Sequence, residues 1–165
     1  MGKRLFVPGA ELVLLAVVLA APASATKPLD VEFDVTTYFA EPPALSSGIF
    51  TASGPAVNAG LMRSEGTKRD LVPEKWAGSS SVVSNGRVIT EFTCTDVPFA
   101  GDTFVVRAQL HVDISEGPPT WVVTWVVKGR TGAFADLHGN GGGSGSLVFD
   151  PGPIGANDLH SGQLH

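Results

Sequence analysis

The chain has 165 residues, 43% of them hydrophobic and 16% charged, with 20 Gly, 12 Pro, a single Cys and a formal net charge of −5. That length and apolar content suit one domain with its own core, and the scarcity of charge excludes a coiled coil, a Lys/Glu-rich helical bundle and a charge-rich disordered chain. The acidic balance supplies no general positive field for phosphate, which excludes a nucleic-acid partner.

The first 25 residues read as a signal peptide. Lys3 and Arg4 form a cationic start, Leu12 to Ala21 is an apolar run, and Pro22-Ala23-Ser24-Ala25 offers an A-x-A cleavage site before Thr26. The apolar run is about half of the roughly 20 residues that a spanning helix needs, and no later segment is longer, so a secreted chain that does not span the membrane is expected. The lone Cys94 cannot form an internal disulfide, which leaves intermolecular pairing or a buried thiol. Its register with Val88, Thr90 and Phe92 places it on the inner face of a strand, as a small hydrophobe.

From Leu29 the chain alternates. Leu29, Val31, Phe33 and Val35 share one face and Asp30, Glu32 and Asp34 the other, which predicts a half-buried strand. The acidic triplet is no calcium loop, because Val35 occupies the position where an EF-hand needs Gly. Ile49 to Ser53 reads as a second strand ending at Gly54-Pro55, with weaker strands over Ala59 to Arg63 and Thr67 to Val72. Trp76 marks apolar cover in an otherwise uncertain stretch. Ser80–Ser84, Asn85-Gly86 and Arg87–Thr95 predict a hairpin about a type I′ turn. Thr103 to Ile114 is the longest alternating run, and Gly117-Pro118-Pro119 turns it into Thr120–Lys128, which is apolar on both faces. An outer face of that kind calls for cover, by the chain itself or by another subunit. Gly129 to Gly145 reads as turn and linker before a last strand, Ser146–Phe149, and 151–165 as a loose tail after a domain over 26–150. No helical periodicity persists beyond the leader, so seven to nine short strands predict an all-β antiparallel barrel or sandwich.

Three segments carry a resemblance. Phe50-Thr51-Ala52-Ser53-Gly54-Pro55-Ala56 with Ala59-Gly60-Leu61, then Phe92-Thr93-Cys94-Thr95-Asp96, then Gly129-Arg130-Thr131-Gly132-Ala133-Phe134-Ala135-Asp136-Leu137-His138-Gly139 resemble small secreted bacterial proteins of the allene oxide cyclase-like barrel group, to which plant dirigent proteins are related. The resemblance spans about residues 29–150 and implies a calycin-like antiparallel barrel of eight strands with an apolar interior, trimeric in plant members. No catalytic residue of those enzymes matches a position here. Relatives of the bacterial type carry a second Cys just after the match to Gly60-Leu61, where this chain has Met62-Arg63.

Two constellations could carry chemistry. Arg107, Gln109, His111 and Asp113 form a polar stripe that Glu91 could join. In the lumen they would be an acid–base set for an isomerase or cyclase acting on an unsaturated lipid or phenolic substrate; on the outside they are a wetted strand face. Trp121 and Trp125, with Phe104 and Phe92, would line a cavity for a small hydrophobic ligand or simply fill the core. Asp136 and His138 lack a third metal ligand, His160 and His165 sit in the expected tail, and Gly139 to Gly145 leads into a strand rather than the helix a phosphate loop needs. No motif calls for a cofactor. The leading expectation is a non-catalytic barrel that binds a small hydrophobic ligand or assembles through its wall. A lumen enzyme and a structural cell-envelope protein are the alternatives.

Overall fold

The computed structural model describes residues 27–40, 45–72, 75–77, 83–96, 100–115, 118–148 and 155–165, so the expected signal peptide lies outside the described residues. Nine strands follow in order: β1 Leu29–Tyr38, β2 Ser47–Ser53, β3 Glu65–Asp70, β4 Lys75–Ala77, β5 Val83–Cys94, β6 Thr103–Asp113, β7 Thr120–Gly129, β8 His138–Val148 and β9 Gly155–Leu164. All pairings are antiparallel, and the ladder runs β3-β2-β1-β9-β8-β7-β6-β5 before β3 pairs β5 and closes it. The product is an eight-stranded up-and-down barrel, whose closure leaves no open edge among those strands. The short β4 pairs with the stretch of β5 beyond β3, Lys75 opposite Arg87, so β3 and β4 share one side of β5.

Alternation is the reason these segments became strands. β1, β2 and β7 bury every second residue, and their inner side chains meet across the barrel. The end reached by the close of β2, β5 and β7 is plugged with aromatics. Phe92 stacks on Phe104 with centroids 5.0 Å apart, while Phe50 and Phe134 meet Phe104 edge-on at 6.0 and 5.9 Å. Each such pair adds about 0.5–1.5 kcal/mol beyond area burial. Met62, Cys94 and Leu164 complete the same cluster. Cys94 is buried, as its register predicts, and burial pushes its thiol up to about 11.

Four expectations are corrected. Residues 59–63 are no strand. Gly54 at φ 104° admits a single helical turn, α1 (Pro55–Asn58), with Pro55 at its start, and Gly60 at φ 76° ends it through Leu61 N–H donating to the Ala56 carbonyl. Asn85-Gly86 is no turn either. Asn85 pairs His111 and Ala77, Gly86 pairs Leu110 and Trp76, and Gly86 is not among the positive-φ glycines, because pairing on both sides overrides the local turn preference. Residues 138–145 of the Gly-rich stretch are strand, so the strand expected over Ser146–Phe149 begins at His138, and Phe149 lies outside the described residues. The expected tail is β9, which pairs β1 and β8 along its full length and closes the barrel; residues 151–154 lie outside the described residues.

Two of those corrections share a cause. The inward positions of β8 are Gly139, Gly141, Gly143 and Gly145, spaced by two. A Cβ on Gly141 would lie 2.3 Å from Trp125 Cζ2, one on Gly145 2.3 Å from Trp121 Nε1, and one on Gly162 of β9 2.5 Å from Trp125 Cζ2. Two large indoles on β7 thus occupy the volume that side chains of β8 and β9 would otherwise fill. Before β8, Gly132 at φ 57° starts a 3-10 turn (Gly132–Phe134), and Ala133 N–H donates to the Asp102 carboxylate at 3.1 Å. That turn delivers Phe134 and Leu137 into the plug.

Candidate ligand site at the open end of the barrel

Among the described residues, the opposite end is not plugged. There the barrel opens into a mouth of about 370 Å³, among whose lining residues are Thr37, Phe39, Val112, Trp121, Leu147 and Ala156. Below it a smaller chamber of about 70 Å³ lies between Phe33, Val35, Phe92, Val106, Val123 and Trp125. Lys68 and Asp158 line both spaces and therefore stand at the neck between them. The mouth falls at the lower end of the roughly 300–1,000 Å³ usual for ligand pockets, and the chamber is large enough for only a few waters or a small ligand group.

Val88 and Leu110 also line both spaces, and the polar side of the neck arises because β3 turns Lys68 and Asp70 inward. Gly66, Lys68 and Asp70 are buried, while Glu65, Thr67 and Arg69 face out. Lys68 Nζ donates to Thr37 Oγ1 at 2.9 Å and lies 3.5 Å from Asp70 Oδ1, and Thr90 Oγ1 donates to that same Asp70 oxygen at 2.8 Å. Burying such a pair carries a desolvation cost of several kcal/mol per ion, which the pairing and the two hydroxyls offset. Across the neck, Trp121 Nε1–H donates to Asp158 Oδ1 at 2.6 Å, over the space that Gly145 leaves empty. Burial raises the Asp158 carboxyl above its usual range, against the opposing effects of the Trp121 hydrogen bond and the Lys68 charge. His160, on the same face of β9 two residues on, has its imidazole lowered to about 4 by burial and by Lys68, so it is neutral at pH 7. Its Nδ1 is buried without a hydrogen-bond partner among the described residues.

Of the residues singled out in the sequence, Trp121 reaches the mouth, and Trp125 and Phe92 line the chamber. Phe104 does not: it is fully buried in the aromatic plug. The polar stripe is outside. Arg107, Gln109, His111 and Asp113 are all exposed, with His111 Nδ1 2.9 Å from Asn85 Oδ1, because the inner face of β6 is taken by Phe104, Val106, Ala108, Leu110 and Val112. Glu91 is buried, yet it too lies on the outer face of its strand. Arg69 reaches its Oε1 at 2.9 Å and Arg130 its Oε2 at 2.5 Å, and these two side chains cover it. The acid–base set of Glu91, Arg107 and His111 therefore does not assemble in the lumen. Asp136 and His138 are exposed beside the 3-10 turn.

The polar residues that do face the lumen, Lys68, Asp70, Thr90, Asp158 and His160, carry no motif. The one available signal was period two within Gly66-Thr67-Lys68-Arg69-Asp70, where both faces are polar and the inner one cannot be told apart. Asp158 and His160 fall within 151–165, whose Pro and Gly content predicts a loose tail and not a strand. The described residues thus form an antiparallel β-barrel with one plugged end and one open end, with a buried polar neck. Comparison of the chain with family models, curated proteins and solved structures finds no match. No helix among the described residues is long and apolar enough to cross a membrane.

Proposed function

We propose that this is a secreted, non-catalytic barrel that takes up a small, largely apolar molecule through its open end, and that it is a distant relative of the allene oxide cyclase-like barrel group. The observation that carries the binding reading is the mouth itself, about 370 Å³ in volume, apolar on most sides and backed by the Trp121 indole. Secretion rests on the tripartite pattern of residues 1–25, and the kinship on the closed barrel together with the Gly-rich turn ahead of β8. Titration with N-phenyl-1-naphthylamine, a neutral apolar fluorophore, tests the binding. Saturable one-to-one binding with energy transfer from tryptophan is expected, and Leu147→Trp, which adds bulk at the mouth, weakens it at least tenfold while the far-ultraviolet circular dichroism is retained. Equal binding by the Leu147→Trp protein, or no saturable binding at all, overturns the reading.

Assembly through the barrel wall is the second reading. Val122 and Val126, on the outer face of β7, are 60% and 51% exposed, and Leu159 of β9 is 62% exposed, so the described residues do not supply the cover that this apolar face calls for. Sedimentation velocity decides it: a trimer that Val126→Lys dissociates supports assembly, and a monomer at all concentrations removes it.

A further inference from the structure

Resting on the binding reading, we infer that the ligand carries a neutral oxygen head, a ketone or a hydroxyl, which it sets against Lys68 and Asp158 at the neck of the barrel. A molecule that fills the mouth brings its inner end to these two side chains, since both line the mouth and the chamber below it. An ammonium has three donors. Thr37 Oγ1 takes one and Asp70 faces another, which leaves the third without a partner among the described residues. Asp158 uses Oδ1 for the Trp121 indole, and its Oδ2 has no partner among the described residues. The neck thus offers one donor and one acceptor to whatever reaches it.

Charge decides which head fits. Asp70 already stands beside Lys68, and Asp158 is a second carboxyl in the same wall, so an entering carboxylate meets no uncompensated cation. An entering ammonium has Asp158 to attract it, but with Oδ1 held by Trp121 only Oδ2 is left to it and Lys68 stands in the same neck, so the cost of burying a second cation there is not offset. His160 below the neck is neutral at pH 7 and adds no charge to either account. A carbonyl accepts from Lys68 without bringing charge into a low-dielectric space, and a hydroxyl can in addition donate to Asp158 Oδ2. The apolar mouth then holds the remainder of the molecule, so the ligand class is a small lipid-like ketone or alcohol.

The experiment is displacement of N-phenyl-1-naphthylamine from the full chain at pH 7.4 by four compounds of equal length: 2-octanone, 1-octanol, octanoate and octylamine. The expected order places 2-octanone and 1-octanol about tenfold ahead of the two charged compounds. In Lys68→Met/Asp70→Asn, which removes the ion pair as a unit and leaves neither charge stranded, 2-octanone loses about tenfold relative to the fluorophore, whose own affinity is measured on the same variant. In Asp158→Asn, 1-octanol weakens and 2-octanone does not. Octanoate or octylamine binding best, four equal affinities, or fluorophore binding that none of the four displaces each overturn this inference and leave the binding reading intact. Failure of the fluorophore to bind overturns the binding reading itself.

Discussion

Replacing Gly141 with Ala tests whether the glycines of β8 exist to make room for tryptophan. The added methyl would stand 2.1 Å from the Ser161 carbonyl oxygen of β9 and 2.3 Å from Trp125 Cζ2, and 2.7 Å from the Gly162 Cα. Two of those three neighbours are backbone, and Trp125 is wedged against Phe33 edge-on at 5.6 Å, so none can give way freely. Overpacking of this kind costs about 1–3 kcal/mol, and shifting β8 from β9 weakens ladder hydrogen bonds worth about 1 kcal/mol each. The lower chain entropy of unfolded Ala returns about 0.4–1 kcal/mol. The net is a loss of about 2–4 kcal/mol, or about 6–15 °C in Tm for a domain of this size. Gly142→Ala is the control on the same strand, because its methyl faces outward with the Val123 carbonyl at 3.2 Å as its nearest contact. It is expected to stay within about 0.5 kcal/mol of the parent, the range of ordinary surface changes. Thermal melts followed by near-ultraviolet circular dichroism would show both the loss and the displaced indole. Equal melting of the two variants, or a Gly141→Ala protein as stable as the parent, refutes the argument.

Two further outcomes follow from buried titratable groups. With its thiol pushed up to about 11 from 9.0, Cys94 carries roughly a hundredfold less thiolate at pH 8 than an ordinary cysteine, and it is buried besides; Ellman's reagent should therefore label it only as fast as the barrel opens, and prompt labelling of the native protein would contradict its placement. The unfolded chain protonates His160 near pH 6.5 and the folded barrel only near 4, so between those values the unfolded state binds the extra proton and stability falls as pH is lowered. At pH 4.5 that loss is about 2 kcal/mol after allowance for partial exposure of the ring. Asp158, raised in the folded state, works in the opposite sense just above its unfolded value of 3.8. The test is therefore the difference between parent and His160→Leu in urea unfolding at pH 7.5 and 4.5: the parent should lose about 2 kcal/mol more than the variant, and parallel losses would show that His160 is not buried as described.

The alternation in Leu29–Val35, Thr103–Ile114 and Thr120–Lys128 sufficed to predict β1, β6 and β7 and the all-β class, because period two is a property of the strand and is written directly into its residues. In β7 the alternation puts Trp121 and Trp125 on one face, but both faces are apolar, and only the fold shows that the tryptophan face looks inward. Asn85-Gly86 misled, since its turn preference is local and weak beside the pairing it makes with β4 and β6. The glycines at 139, 141, 143 and 145 were read as punctuation. Their spacing by two acquires meaning only with what lies opposite them, Trp125 at Gly141, Trp121 at Gly145, and residues of β9 at Gly139 and Gly143, contacts between separate strands. Burial of Lys68, Asp70, Asp158 and His160 is a different case. β3 carries polar residues on both faces, and which face looks inward follows from the register with β2 and β5 and from closure by β9. Sequence alone thus determined that strands form and, in β1, where one face is acidic, which apolar residues face the core. The tertiary structure alone decided that the last residues complete the barrel, which end the described residues leave open, and that charged groups stand at its neck, because those are consequences of pairing between distant segments rather than of any segment's own pattern.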